Sequence, residues 1–203
     1  AMEVGALRRT EAFTEYKADE RSVLFAQKTL SEMRKNRSVT ATDKLIVLED
    51  ADEGVVVNLC AGHKVNEALG RVLSILISAR YGSAVGIETN AYRFYLRLPK
   101  FIGAPDVEEV FHSLEPEHVE GILQLALKKT SLYKWRLVQA AKKFGAIDAD
   151  ADYEKISMNR LLELFDGTVV EREAFRELFF SNMDVEGAKE IVRRLKNHEM
   201  ETR

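Results

Sequence analysis

Basic and aromatic side chains alternate in the segment YRFYLRLPK, residues 92–100, and this pattern could bind a single nucleic-acid strand. Because successive side chains of a strand point to opposite faces, Arg93, Tyr95 and Arg97 would share one face, with Lys100 just beyond it. Guanidinium groups can bind phosphates while a neighbouring ring stacks on a base. Alternatively, a helix formed by the N-terminal residues could cover this face. The opposite, buried face would consist of Tyr92, Phe94, Leu96 and Leu98.

A second basic and aromatic group lies in the segment Ser131–Phe144, whose apolar spacing predicts a helix. The predicted apolar stripe consists of Tyr133, Leu137, Val138, Ala141 and Phe144. Trp135 falls outside that stripe, among basic residues, where it could stack on a base while cations bind phosphates. The candidate cations are Arg136, Lys142 and Lys143. Alternatively, Trp135 packs against the sheet or a neighbouring domain.

The sequence lacks the motifs that would support an independent catalytic activity. It contains no GxxxxGK(S/T) phosphate-binding loop, no GxSxG nucleophile motif and no HExxH zinc motif. Cys60 is the single cysteine, which rules out an internal disulfide and fits a reducing compartment. No apolar run is long enough to span a membrane. We therefore expect a cytoplasmic binding or positioning domain, without a catalytic residue, metal or cofactor of its own.

The basic charge is concentrated in two blocks, although the chain as a whole carries a net charge of −3. Residues 63–105 contain six Lys and Arg against two Asp and Glu, a balance of +4, and residues 131–145 contain four against none, also +4. Residues 106–130 have a balance of −4, and residues 146–203 a balance of −5. Local basic blocks of this kind are what a nucleic-acid partner requires, although helical surfaces also alternate in charge without one.

Residues 1–105 are predicted to form an α+β subdomain. One or two N-terminal helices are expected over residues 3–37. The order that follows is strand, strand, helix, strand, strand, over residues 44–49, 55–60, 63–81, 84–88 and 92–98. Val65, Leu69, Val72, Leu76 and Ala79 form the predicted buried stripe of the central helix. We therefore expect a small, mostly antiparallel β-β-α-β-β sheet with a helix across it.

Residues 106–203 are predicted to form an all-helical subdomain, because strand character stops after Pro99. Proline and glycine residues separate the apolar-periodic segments, and Asp184 is a suitable N-cap for the last of them. The predicted helices cover residues 106–114, 117–130, 131–145, 153–165, 169–180 and 184–198.

Several motifs, in order, resemble the DEAD/H-associated region of large helicase-related (Lhr-type) superfamily 2 helicases. They include AGHKVNEALGRVLS (61–74), NAYRFYLRLP (90–99) and SLYKWRLVQAAKKFGAI (131–147). The opening EVGALRR and TATDKLIVLE, and the final block GTVVEREAFRELFFSNMDVEGAKEIVRRL, resemble the two ends of that region. The resemblance therefore covers nearly the whole chain.

The resemblance implies an accessory domain of an ATP-dependent DNA or RNA helicase, which contacts the translocated single strand. Motor domains that bind ATP and magnesium, and a winged-helix domain, would lie upstream and would be partners of this chain. Residues that fall where the family pattern has glycine, asparagine or basic residues are Gly62, Asn66, Arg71, Arg93 and Arg136. The alternative is an interaction module, in which the acidic helical part docks on the motor or another protein.

Overall fold

A computed structural model describes residues 1–13, 16–36, 39–152 and 157–203. Within these ranges the chain forms nine helices and five strands. The helices are α1 (Met2–Thr10), α2 (Glu20–Asn36), α3 (His63–Tyr81), α4 (Ala104–Ser113), α5 (His118–Leu127), α6 (Ser131–Lys143), α7 (Met158–Phe165), α8 (Val169–Asn182) and α9 (Val185–Lys196). The strands are β1 (Leu45–Ala51), β2 (Gly54–Asn58), β3 (Gly86–Thr89), β4 (Arg93–Arg97) and β5 (Glu201–Thr202). The predicted α+β class is confirmed.

The strands form one sheet in the order β3-β4-β2-β1-β5. The four predicted strands pair antiparallel, as expected, and β5 adds a parallel pairing with β1. The sequence did not predict β5, because two residues are too few to show the alternation that identifies a strand. Val55 and Val57 of β2 are fully buried beneath α3, which fits a central strand.

Helix α3 crosses the sheet and begins directly after Gly62, whose φ of 101° favours glycine. Its buried surface is wider than the predicted stripe. Leu73 and Ile77 are fully buried, whereas Ala79 of the predicted stripe is exposed. The difference arises because α3 is covered on two sides, by β3 and β4 on one and by α4, α5 and α9 on the other.

The core is continuous between the two predicted subdomains. One cluster of buried residues includes Val57 from the sheet, Phe111 from α4 and Val192 from α9. Helix α6 packs mainly on α8, and both helices contribute buried residues to this cluster. The proposed division into residues 1–105 and 106–203 therefore stays a prediction, with a shared core between the two parts.

The helical part follows the predicted order. Asp184 accepts a hydrogen bond from the amide of Gly187 and caps α9, as predicted. Of the helix predicted over residues 153–165, residues 153–156 lie outside the described ranges, and α7 covers Met158–Phe165. None of the described helices combines the length and apolar character that crossing a membrane requires.

Helix α1 is attached to the segment before β1 by a two-fold ion pair. The Arg9 guanidinium donates from Nε to Oδ1 of Asp43 at 2.8 Å and from Nη2 to Oδ2 at 3.0 Å. Gly5 packs so closely that an added Cβ would lie 2.7 Å from the amide nitrogen of Asp43. The hydrogen bonds from Arg9 lower the pKa of Asp43 below its ordinary value, although partial burial opposes this shift.

We expect Asp43→Asn to lower the free energy of unfolding by about 1 kcal/mol at neutral pH. Because the pKa of Asp43 is lowered in the folded chain, its contribution is present above the unfolded pKa of about 4. The contribution is lost as the pH falls through the lowered, folded value. Urea unfolding of both chains at neutral and strongly acidic pH measures this effect, and their difference should shrink in acid. A difference independent of pH would contradict the assignment.

Candidate nucleic-acid interface

The face of the sheet opposite α3 carries the cationic and aromatic side chains of β4. Phe94 and Leu96 are fully buried under α3, whereas Arg93 and Arg97 are exposed and Tyr95 is half-buried on the other face. The alternation predicted for this strand is therefore observed. Tyr92 is the exception, because it precedes the strand and is 42% exposed instead of buried.

Arg93 lies in a groove between this face of the sheet and the N-terminal helices. We call it the arginine groove; its volume is about 310 Å³, and its polar lining comprises Arg8, Thr40, Asn58, Asn90, Tyr92 and Arg93. The predicted cover by an N-terminal helix is thus partial: α1 supplies Arg8 to the groove at one end of the face. The two arginines place two positive charges at one cleft, an arrangement that suits a phosphate.

Arg8 is held in place by three neighbours. Its Nη1 donates to the carbonyl oxygen of Ala41 at 3.4 Å and to Sγ of Cys60 at 3.1 Å, and its Cζ lies 5.5 Å from the centre of the Tyr92 ring. Burial raises the pKa of the Cys60 thiol, which is therefore neutral beside this cation. Nε of Arg8 is buried and has no hydrogen-bond partner among the described residues. Because this Nε is closed to solvent, Arg8 contributes positive charge to the arginine groove rather than an accessible Nε donor.

The backbone of Arg93 is fixed by the turn that connects β3 to β4. Oδ1 of Asn90 accepts hydrogen bonds from the amides of Tyr92 and Arg93, at 2.9 and 3.1 Å. Asn66, fully buried on α3, donates from Nδ2 to the carbonyl oxygen of Asn90 at 2.8 Å and to that of Leu59 at 3.1 Å. Asn66 therefore joins the helix, the end of β2 and the turn before Arg93.

The charges on this face differ in how they are compensated. Arg97 pairs with Glu88, at 3.1 Å, and both side chains are largely exposed. In the described ranges, the side chains of Arg93 and Lys100 form no ion pair. A second groove of about 340 Å³, lined in part by Glu88, Thr89 and Tyr95, shares Arg93 and Asn90 with the arginine groove. Arg93 is therefore the cation between two adjoining grooves.

The second candidate group, on α6, combines an exposed ring with cations that already have partners. Trp135 is 46% exposed and belongs to a helix that packs mainly on α8, and the alternative that it packs against a neighbouring domain stays a prediction. The Cζ of Arg136 lies 5.0 Å from the centre of the Trp135 ring, and its Nη1 is 3.8 Å from Oε2 of Glu177. Lys143 also pairs with Glu177. This acidic residue on α8 therefore compensates part of the predicted basic surface.

Lys142 has a structural role in the described chain. Its Nζ donates to the carbonyl oxygens of Ala149 and Ala151, at 3.0 and 2.7 Å, and so holds the segment after α6. Phe144 was predicted to lie in the apolar stripe, but it is 54% exposed because it caps the end of the helix. Of the four candidates on α6, Arg136, Lys142 and Lys143 already contact a carboxylate or carbonyl oxygens of the chain, which leaves Trp135 as the candidate most available to a ligand.

The two candidate groups lie on different elements of the fold. Arg93, Arg97 and Lys100 belong to the sheet and the loop after it, whereas Trp135 belongs to a helix that packs on α8. Among the described residues, no hydrogen bond or ion pair connects the two groups. Sequence reasoning missed Arg8, whose helix offered no spacing that relates it to β4. No group of three or more potential metal ligands occurs within the described ranges.

Comparison with known proteins places the chain in a protein family. Residues 40–203 match the family model described as DEAD/H associated. The chain is 27% identical over 158 residues to the ATP-dependent helicase Lhr-Core of Methanothermobacter thermautotrophicus, covering 72% of this chain and 18% of that protein. It is 26% identical over 176 residues to Lhr-Core of Sulfolobus acidocaldarius, covering 78% of this chain and 20% of that protein. The chain thus spans about a fifth of the length of these curated relatives.

A solved structure has the same fold as this chain. The structure of Mycobacterium smegmatis helicase Lhr bound to ssDNA and AMP-PNP matches 99% of this chain and 28% of that chain, with a TM-score of 0.69 and 16% identity. The resemblance to the DEAD/H-associated region of Lhr-type helicases, predicted from the sequence motifs, is confirmed by these matches. Because the family model covers residues 40–203, most of the chain, this protein belongs to the DEAD/H associated family.

Proposed function

We propose that this chain is the accessory nucleic-acid-binding domain of an ATP-dependent DNA or RNA helicase, and that it contacts the translocated single strand. ATP and magnesium would be bound by motor domains in the same protein, which, with a winged-helix domain, would be its partners. The site would act in the cytoplasm. The single strand would be held by its phosphates and by stacking, with little sequence preference.

The observation that carries this proposal is the position of Arg93. Arg93 is exposed and lines two adjoining grooves, one together with Arg8 and Tyr92 and the other together with Tyr95. This arrangement provides charge for a phosphate and aromatic surface for a base. The similarity in fold to a helicase whose structure contains ssDNA supports the proposal.

We expect Arg93→Ala to weaken binding of a labelled single-stranded oligonucleotide about tenfold at low salt, because it removes one charge-assisted phosphate contact. It should also reduce the slope of log affinity against log salt by about 0.7. Fluorescence anisotropy titrations of DNA and RNA oligonucleotides over a salt series measure both quantities. Arg97→Ala should have a smaller effect, because its guanidinium already pairs with Glu88.

Arg160→Ala is a matched control for this experiment, because Arg160 is exposed on α7, outside both grooves. Trp135→Ala and Arg136→Ala complete the series. A loss of affinity in these two variants, with none in Arg93→Ala, would show that α6 rather than β4 contacts the single strand. Unchanged affinity in all of the variants would exclude both candidate surfaces as the binding site for the single strand.

A further inference from the structure

An apolar groove lies at the junction of four helices, and it includes an aromatic side chain in contact with solvent. The groove has a volume of about 670 Å³ and is formed by the start of α3, by α5, by one side of α8 from Arg172 to Phe180 and by the start of α9. Its apolar lining consists of Phe175, Phe179, Phe180, Met183 and Val185. Phe180 is 82% exposed, and exposed apolar surface beside a groove is typical of interaction sites.

Phe180 is held at the groove by its neighbours. Nζ of Lys64 donates to the carbonyl oxygen of Phe180 at 2.7 Å and lies 5.7 Å from the centre of its ring. Phe179, next in the lining, stacks on the buried Phe175 with 5.7 Å between ring centres. The aromatic surface is therefore supported from the core, which lowers the entropy lost when a partner binds.

The acidic residues of this groove have partners within the chain. Glu120 and Glu186 both pair with Nζ of Lys189, at 2.8 and 2.7 Å. Asp184 accepts the hydrogen bond that caps α9. These three carboxylates lie on α5 and at the start of α9, whereas Arg172 and Arg176 lie on α8, so a strand with phosphates along its whole length would be repelled on one side of the groove.

The basic residues are less completely compensated. Arg172 is exposed and forms no ion pair with any described residue, and Nζ of Lys64 contacts the carbonyl oxygen and the ring of Phe180 rather than a carboxylate. Arg176 pairs with Glu173 at 2.8 Å, but its side chain is 76% exposed. Positive charge is therefore available beside an apolar surface, at the side of the groove formed by α8.

We propose that this groove binds an amphipathic protein segment that places apolar side chains on Phe179 and Phe180 and a carboxylate beside Arg172. The apolar lining matches the apolar face of such a segment, and the uncompensated guanidinium matches its acidic face. This binding site goes beyond the nucleic-acid contact proposed above and uses none of its residues.

The probe that tests this proposal is a synthetic amphipathic helical peptide with leucine on one face and glutamate on the other. Titration of the isotope-labelled 203-residue chain, followed by amide chemical shifts, should show saturable changes around Phe180 and Arg172. Phe180→Ser should weaken binding about tenfold, because it removes the exposed aromatic contact. Arg172→Glu should weaken binding of this peptide and strengthen binding of a counterpart with lysine on its polar face.

Leu164→Ser and Arg160→Glu are the matched controls, because both residues are exposed on α7, outside the groove. Both controls should leave peptide affinity unchanged. Failure of the glutamate peptide to bind, or equal affinity for the glutamate and lysine peptides, would overturn the proposal. A single-stranded oligonucleotide whose affinity falls in Phe180→Ser as much as in Arg93→Ala would also overturn it, because the groove would then bind nucleic acid.

Discussion

Replacement of Asn66 by aspartate is expected to lower the free energy of unfolding by about 4 kcal/mol at neutral pH, because it buries an uncompensated charge. Nδ2 of Asn66 donates to the carbonyl oxygens of Leu59 and Asn90, and the residue is fully buried. A carboxylate in this position has no donor, so its two oxygens would lie against the carbonyl oxygens of Leu59 and Asn90, which are acceptors as well. The turn that positions Arg93 would be released, so binding of single strands should weaken as well.

Unfolding in urea over a range of pH measures this effect. Burial should raise the pKa of the introduced carboxyl group, so the variant should regain stability as the pH falls towards that raised value. Asn66→Ala is the matched control, because it removes the two donated hydrogen bonds without adding charge and should cost about 2 kcal/mol at every pH. Equal losses in the two variants at neutral pH would show that buried charge is not the cause.

Gly54→Ala is expected to cost about 4 kcal/mol, because the added methyl group has no space beside the neighbouring strand. Its Cβ would lie 1.9 Å from the carbonyl oxygen of Leu96, and the glycine has a φ of 154°. Relief of this contact requires β4 to move away from β2 and to carry Arg93 and Arg97 with it. Circular dichroism during urea unfolding measures the stability, and oligonucleotide titrations measure the displacement of the site.

Gly82→Ala is the control that measures the cost of backbone strain without a steric clash. Gly82 ends α3 with a φ of 67°, and no atom lies within 4 Å of an added Cβ. This control should therefore cost only about 1 kcal/mol, the strain of a left-handed residue that has a side chain. If Gly54→Ala is no more destabilising than Gly82→Ala, the close approach of β2 and β4 has been assigned wrongly.

The central part of the fold was predictable because each element carries its own local pattern. The three valines of β2, the alternation in β4 and the glycines that flank α3 each identify an element from a few neighbouring residues. The width of the buried face of α3 was not predictable in the same way. It depends on α4, α5 and α9, which pack on α3 from distant parts of the chain.

The candidate site was predictable only where its residues belong to one element. Strand alternation placed Arg93, Tyr95 and Arg97 on one face. It could not place Arg8 there, because the approach of α1 depends on contacts such as that between Arg9 and Asp43. Likewise, the spacing within α6 indicated that Trp135 lies outside the apolar stripe. It could not show that Glu177 of α8 pairs with Arg136 and Lys143.

The short strand β5 has a consequence for how the protein is made. Leu45 and Ile46 pair with Glu201 and Thr202, and Arg203 exchanges further backbone hydrogen bonds with Ile46 and Leu48. The outer edge of β1 therefore stays unpaired on the ribosome until residues 201–203 have been synthesised. An apolar strand with an open edge can pair with other chains. For this edge of the sheet, the period of synthesis rather than the folded state is when aggregation is most favoured.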